Sequence, residues 1–203
     1  MILRNKSWFF KKAFPKHLCN NIISYALQQP IKKGSVGAPI KENEERDFLF
    51  SNNIRDSEVI WLNDKWLYNK LTKLVEIANT NAGWNFEIST AEEIQFTIYK
   101  KGMHYDWHTD AFEDPFIDHK NPFFNGKTRK ISLSMLLNES TEYKGGEFEF
   151  DSGNRREQVK TCYELENAGD CIIFPSDLYH KVRPVTHGNR FSLVMWNLGN
   201  PFK

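Results

Sequence analysis

Two periods of apolar residues divide the chain. Between Pro15 and Gln29, Leu18, Ile22 and Ala26 recur every four positions with Ile23 and Leu27 beside them, which predicts an amphipathic helix with Pro15 suited to its first turn. A second stripe, Leu67, Leu71, Leu74, Val75 and Ala78, predicts another helix with Asn63 or Asp64 as N-cap. Residues 30–60 between them are polar, with charges at Lys41, Glu42, Glu44, Glu45, Arg46 and Asp47, and read as a loop with a short strand around Phe48–Phe50. After Gly83 the period becomes two. Ile94, Phe96 and Ile98 alternate with Gln95, Thr97 and Tyr99; Ile131, Leu133, Met135 and Leu137 alternate with Ser132, Ser134 and Leu136. Phe148 and Phe150 alternate with Glu147 and Glu149, Cys171–Phe174 is a short apolar run ended by Pro175, and Phe191, Leu193 and Met195 alternate with Arg190, Ser192, Val194 and Trp196. Helices followed by many short strands predict a mainly β sandwich or jelly roll with helices packed outside it.

Composition narrows the class. The 203 residues carry 27 Lys plus Arg against 26 Asp plus Glu, a net +1, so no global field points to nucleic acid or an anionic membrane surface. Cys19, Cys162 and Cys171 are odd in number and lack CxxC spacing, which argues against a disulfide framework or zinc ribbon and for a reducing compartment. Lys11, Lys12 and Lys16 interrupt the N-terminal apolar residues before a signal sequence or membrane span can form. The expectation is a soluble, cytoplasmic, single-domain protein over 1–203, with 1–90 as helical support and 91–199 as the sandwich.

The pattern His108-Thr109-Asp110 carries the first chemical signal. In an extended segment residues two apart project to one side, so an imidazole and a carboxylate can converge on one point. His180, beside the apolar strand Cys171–Phe174, can supply a third ligand. Two His and one carboxylate leave the other positions of an ion open, the arrangement of non-haem Fe(II) oxygenases. The same three residues also admit a chance HxD with His180 on the surface. Arg190, Ser192 and Trp196 share a strand face opposite Phe191, Leu193 and Met195, which fits an enclosed polar pocket better than a solvated face. There Arg190 offers a planar fork matched to a carboxylate.

From here the sequence resembles the Fe(II)- and 2-oxoglutarate-dependent oxygenases, in particular the prolyl 4-hydroxylase-like branch. The resemblance covers about residues 92–199 and rests on blocks in order: Ile94–Tyr99, Gly102, His104–Asp110, Arg129–Ser134, Tyr143–Glu147, Gly169-Asp170, Phe174–Ser176, His180 and Gly188–Ser192. It implies a double-stranded β-helix, or jelly roll, with His108, Asp110 and His180 as the iron triad. It implies that Arg190 pairs with the distal carboxylate of 2-oxoglutarate, that the Tyr99 hydroxyl assists it, and that Ser192 and Trp196 wall the pocket. The implied activity is hydroxylation of a peptidyl or small-molecule substrate coupled to decarboxylation of 2-oxoglutarate to succinate and CO2, with room for ascorbate as an auxiliary. The animal prolyl hydroxylases have Lys where this chain has Arg190, and many bacterial relatives have Asn where it has Ala111; both departures weaken transfer of a specific substrate. The rival from another class is a non-catalytic jelly-roll binding or sensor module that has kept the motif. Oligomeric state stays open.

Other patterns have plainer readings. His104 and His108 are four apart, but Gly102, Tyr105 and Trp107 disfavour the helix a zinc pair needs, and His17, His119 and His187 read as structural. Gly145-Gly146 reads as a turn, not a phosphate loop. Basic residues interleave with aromatics around Lys120–Lys130, yet a solvated loop explains them better than nucleic acid does. Residues 111–130 are long for a connection. Their rings Phe112, Phe116, Phe123 and Phe124, costly to leave in water, either form a lid over the iron mouth or simply close the end of the sandwich. In the lid reading, Lys120, Lys127 and Arg155 or Arg156 at its rim select an extended or anionic substrate.

Overall fold

The computed structural model of the chain describes residues 5–35, 54–117, 119–154 and 157–202. Among the described residues the two α-helices are those of the apolar stripes. Helix α1, Lys16–Ala26, follows Pro15, whose extended backbone (φ −70°, ψ 149°) starts it, and buries Cys19, Ile22 and Ala26. Helix α2, Lys65–Asn81, buries Leu67, Leu71, Val75 and Ala78. Asp64 is its N-cap, although the side chain makes no capping bond and Asp64 Oδ1 accepts instead from the Tyr25 hydroxyl at 3.3 Å.

The larger sheet runs, in spatial order, Trp8–Phe10, Cys171–Pro175, Thr128–Leu136, Arg190–Gly199, Ile94–Tyr99, Glu58–Leu62 and Lys32–Lys33, with Thr90–Ala91 also pairing the 190–199 strand. The smaller runs Glu157–Thr161, Phe148–Asn154, His180–Val182, His104–His108 and Arg55–Asp56. Every pairing in both is antiparallel. A two-stranded ribbon joins Tyr143–Gly145 to Val185–Gly188. The strands 8–10, 32–33, 55–56 and 58–62 lie before Gly83, where the period predicted none, and 90–91, 143–145, 157–161, 180–182 and 185–188 lie outside the alternating runs after it. They are short, and their positions are set by partner strands and not by a pattern of their own. The strand expected at Phe48–Phe50 lies outside the described residues.

Alternation sorts the larger sheet into two faces. Ile94, Phe96, Ile98, Ile131, Leu133, Met135, Cys171, Ile173, Leu193 and Met195 join Ile22, Leu67, Leu71 and Val75 of the helices in one apolar core. Burial of each such large side chain contributes about 1.5–3 kcal/mol. The opposite face looks onto the smaller sheet, and Tyr99, Ile172 and Phe174 meet Phe148, Phe150 and Val182 there. Polar side chains on this inner face are just as buried: Gln95, Thr97, Ser132, Ser134, Arg190 and Ser192 are all inaccessible or nearly so. The mainly β sandwich with external helices is the architecture expected from the sequence, and its polar inner face positions the site.

Candidate active site

His108 and His180 are cross-strand partners in the smaller sheet. Each ring is fixed from behind. His108 Nδ1–H donates to the Asp106 carbonyl at 2.7 Å and His180 Nδ1–H to the Leu178 carbonyl at 2.8 Å, which leaves both Nε2 lone pairs directed at the same point. Tyr105 stacks on His108 (3.4 Å between centroids, 10° between planes), and the Arg55 guanidinium lies 4.6 Å over Tyr105. Phe148 stacks on His180 at 5.3 Å and Phe174 meets its ring edge-on at 4.8 Å.

Asp110 arrives by a different route from the one alternation suggests. The 104–108 strand has ended, and the carboxylate is set by a bend whose Asp110 and Ala111 amides both donate to the Ser176 carbonyl, at 2.9 and 2.8 Å. Its oxygens lie 3.8 Å from His108 Nε2 and 3.7 Å from His180 Nε2, and one ligand atom from each residue falls within 4.8 Å of the others. Those separations are too long for hydrogen bonds yet short enough for one ion to bridge. Burial pushes the His108 pKa down to about 3, with His180 adding to the effect, so the imidazole is neutral and its lone pair free. Burial pushes the Asp110 carboxyl up, but His180, His108, Arg129 and a Ser132 hydrogen bond outweigh it, and the group stays ionised below the usual range. A neutral N,N plus anionic O donor set suits a divalent transition metal.

Beside this cluster Arg190 is 1% exposed and faces Tyr99 directly across the sheet, its guanidinium carbon 5.7 Å from that ring. Nη1 donates to Ser192 Oγ at 3.2 Å, while Nε is buried without an acceptor. Among the described residues no carboxylate forms an ion pair with it. A buried, uncompensated guanidinium costs several kcal/mol unless a ligand supplies the anion, so the pocket fits a carboxylate-bearing cosubstrate. Burial pushes the Tyr99 phenol up, opposed by Arg55 and Arg190, so its hydroxyl keeps a proton to donate. Gly146 completes the cradle: its φ is +67°, and a Cβ there would sit 2.9 Å from Arg190 Cδ. Trp196 Nε1 is a second buried donor without an acceptor.

The structure therefore brings together His108, Asp110, His180, Tyr99, Arg190, Ser192 and Trp196, which all line one narrow cavity. It opens to an outer mouth of about 330 Å³ lined by Trp61, Phe112, Trp196, Arg55, Arg129 and Lys32 among others. A larger cleft of about 1110 Å³ lies between α2 and the 119–124 turn and contains none of the expected site residues. His104 is not part of the metal cluster, and His119 packs against Phe116 and Phe124.

Sequence reasoning gave no role to Arg55, Glu92, Tyr105 or Arg129. Arg129 forms a two-pronged pair with Glu92 (2.5 and 2.7 Å), donates to the Asp110 carbonyl at 3.2 Å, and lies 4.0 Å over the Trp196 ring. Arg129 stands in one of the sequence blocks, but its reach to Asp110 depends on tertiary pairing. In the 111–130 connection Phe116 and Phe124 pack with Trp196 and Leu198, and Phe112 joins them in part. Phe123 departs from the expectation of withdrawn rings, standing 78% exposed on a turn capped by Asn121. Arg155 and Arg156 lie outside the described residues.

Comparison with known proteins agrees with the geometry. The family model described as the 2OG-Fe(II) oxygenase superfamily matches residues 94–197. A PKHD-type hydroxylase of Picosynechococcus sp. is 32% identical over 107 residues, covering 53% of this chain and 42% of that one. The chain spans less than two thirds of the length of the first curated relatives it matches. Among solved structures, a Pseudomonas putida prolyl-4-hydroxylase superposes with a TM-score of 0.67 at 18% identity, covering 98% of this chain and 95% of that one. A viral collagen prolyl hydroxylase from Paramecium Bursaria Chlorella virus-1, in a 2OG complex, superposes at 0.66 with 16% identity and 97% of each chain. Identities this low speak for a shared fold. With the family match spanning all three candidate ligands and Arg190, the chain belongs to the 2OG-Fe(II) oxygenase superfamily.

Proposed function

We propose that the chain is a Fe(II)- and 2-oxoglutarate-dependent dioxygenase acting as a hydroxylase of prolyl 4-hydroxylase type. The observation that carries this reading is the buried Arg190, without an anionic partner among the described residues, beside three converging metal-ligand side chains. His108 Nε2, His180 Nε2 and an Asp110 oxygen would hold the iron. Bound iron, with 2-oxoglutarate and dioxygen, supplies the oxidative decarboxylation to succinate and CO2 that drives hydroxylation.

The chain's own residues do the rest. Arg190 and the Tyr99 hydroxyl take the distal carboxylate, and Ser192 holds the guanidinium in plane. Phe148 and Phe174 press on His180, Tyr105 on His108, and together they keep water from the metal side of the cavity. Trp196 and Arg129 wall the mouth through which the substrate enters. The names of the relatives support a prolyl substrate, peptidyl or small. The near-neutral charge speaks against nucleic acid. Among the described residues no helix is long and apolar enough to cross a membrane, and three buried free cysteines support a cytoplasmic setting within one domain.

The test is succinate release from purified, iron-loaded protein offered pools of prolyl peptides, free amino acids and other metabolites. Succinate formation that depends on one pool and disappears in His108→Ala supports an enzyme. Tight binding of iron and 2-oxoglutarate with no turnover on any pool would favour the non-catalytic module instead.

A further inference from the structure

The cleft of about 1110 Å³ lies away from the metal cluster, and the reaction scheme gives it no work. It is walled by α2, the 86–93 segment and the 119–124 turn. Small-molecule pockets usually hold about 300–1,000 Å³, so the cleft is roomy for one. The mouth over the cluster, at about 330 Å³, is not. The two openings meet at Trp61, which lines both, stands 38% exposed and tilts against Trp196 with 6.3 Å between ring centroids. The Glu92–Arg129 pair spans the same boundary, Glu92 on the cleft wall and Arg129 on the mouth. A chain laid across Trp61 would occupy both openings without a break.

The walls say what kind of chain. Helix α2 buries Leu67, Leu71, Val75 and Ala78, and the neighbouring stripe Tyr68, Thr72, Glu76 and Asn79, at i, i+4, i+8 and i+11, lines the cleft. Tyr68, Phe86 and Phe124 join Trp61 as aromatic surface, the kind that holds extended, polyproline-like peptides. Carboxylates set the charge. Arg129 neutralises Glu92, but Glu76 and Glu93 are exposed and form no ion pair among the described residues. Lys120 is the only lysine or arginine among the described lining residues, and it stands across the cleft in the 119–124 turn. The mouth has the reverse balance: Lys32, Lys33, Arg55 and Arg129 line it, with Asp110 as its only described carboxylate. The sign of the wall changes at Trp61.

We propose that the cleft is a docking site for the basic flank of a polypeptide substrate, filled while the residue to be hydroxylated sits in the mouth. The inference rests on the hydroxylase reading and deepens it: the substrate is an extended chain carrying lysine or arginine near its target, and a free amino acid would leave the cleft empty. Each exposed charge pair changes affinity only a few-fold, so aromatic contact and more than one charge act together.

The experiment uses the full chain and fluorescein-labelled peptides of equal length, with the same central prolines and a flank, on either side, of lysine, glutamine or glutamate. Anisotropy gives their affinities for wild type, Glu76→Lys, Glu93→Lys and Glu166→Lys, the last an exposed charge that does not line the cleft. Succinate release by the Fe(II)-loaded chain is measured on the same peptides. The expected result is a lysine peptide that binds wild type about tenfold tighter than its glutamate counterpart, with glutamine between and the preference shrinking at high salt. Glu76→Lys and Glu93→Lys should each weaken the lysine peptide about three- to tenfold, and Glu166→Lys less than about twofold, with 2-oxoglutarate affinity the same throughout. A lysine peptide that binds no tighter than the glutamate peptide, or cleft variants that lose no more than Glu166→Lys does, would overturn the docking site, while succinate release from the prolyl peptides would leave the hydroxylase reading intact. Failure of that reading looks different: charge-selective binding that depends on Glu76 and Glu93, with no succinate from any peptide, would overturn the hydroxylase and leave the cleft a site for basic peptides.

Discussion

The two faces of the larger sheet are equally withdrawn from water and do opposite work. On the helix side Ile94, Phe96, Ile131, Leu133, Met135, Leu193 and Met195 interlock with α1 and α2, with no polar group to satisfy. On the inner side the same strands present Gln95, Thr97, Tyr99, Ser132, Ser134, Arg190 and Ser192 to the smaller sheet. An apolar buried face stabilises by removing surface from water. A polar buried face does not, and it persists because its groups are partnered, as Gln95 is with Thr97 at 2.8 Å, or because they await a ligand, as Arg190 Nε does. The difference separates stability from chemistry one residue apart along each strand.

That separation breaks most visibly at the cluster the inner face helps to hold. His108→Ala, Asp110→Ala and His180→Ala should each lower Fe(II) affinity by at least about 100-fold, measured by anaerobic titration, while circular dichroism stays native. Outer-face truncation should do the reverse: Phe96→Ala should cost about 3–5 kcal/mol of unfolding free energy in urea and leave the metal ligands of the surviving folded protein unaltered. If Phe96→Ala abolished metal binding while still folded, the two faces would not be independent.

Acid should sharpen the contrast by a few kcal/mol. The folded His108 pKa, about 3, lies below the unfolded value of 6.5, so the unfolded chain binds more protons between them. Metal-free protein should therefore lose stability as pH falls below about 6.5, continuing toward pH 3, and Asp110, whose pKa is also lowered, should extend the loss below its unfolded value of 3.8. Denaturant melts at stepped pH check this, and His108→Gln should flatten the upper part of the curve. A smaller effect is expected from Gly146→Ala. Its left-handed backbone and the 2.9 Å approach to Arg190 Cδ predict about 1–3 kcal/mol of destabilisation, with weaker 2-oxoglutarate binding on calorimetric titration.

Much of this division can be read from the chain. The stripe from Leu67 to Ala78 marks α2 because a helix facing a sheet must repeat its apolar residues near 3.6, and the alternation after Gly83 separates Tyr99 and Arg190 from Phe96 and Leu193. The HxD spacing and a distant His point to three ligands that the fold brings together. What the chain conceals is what depends on a partner. Glu58–Leu62 reads as part of a polar loop until it pairs with Ile94–Tyr99, and Arg55 has no visible purpose until its strand lies beside His104–His108 and sets it over Tyr105. Ser176 holds Asp110 through a carbonyl that no side-chain pattern can encode.

The most direct test concerns Arg190, the inner-face residue whose burial makes sense only with an anion beside it. Calorimetric titration of 2-oxoglutarate into anaerobic, Fe(II)-loaded wild type and Arg190→Ala, with iron affinity measured alongside, compares the two. The account predicts one 2-oxoglutarate per wild-type chain, a loss of about 2–5 kcal/mol of binding free energy in Arg190→Ala, and iron affinity that is unchanged. Equal 2-oxoglutarate affinity in the two proteins would contradict it.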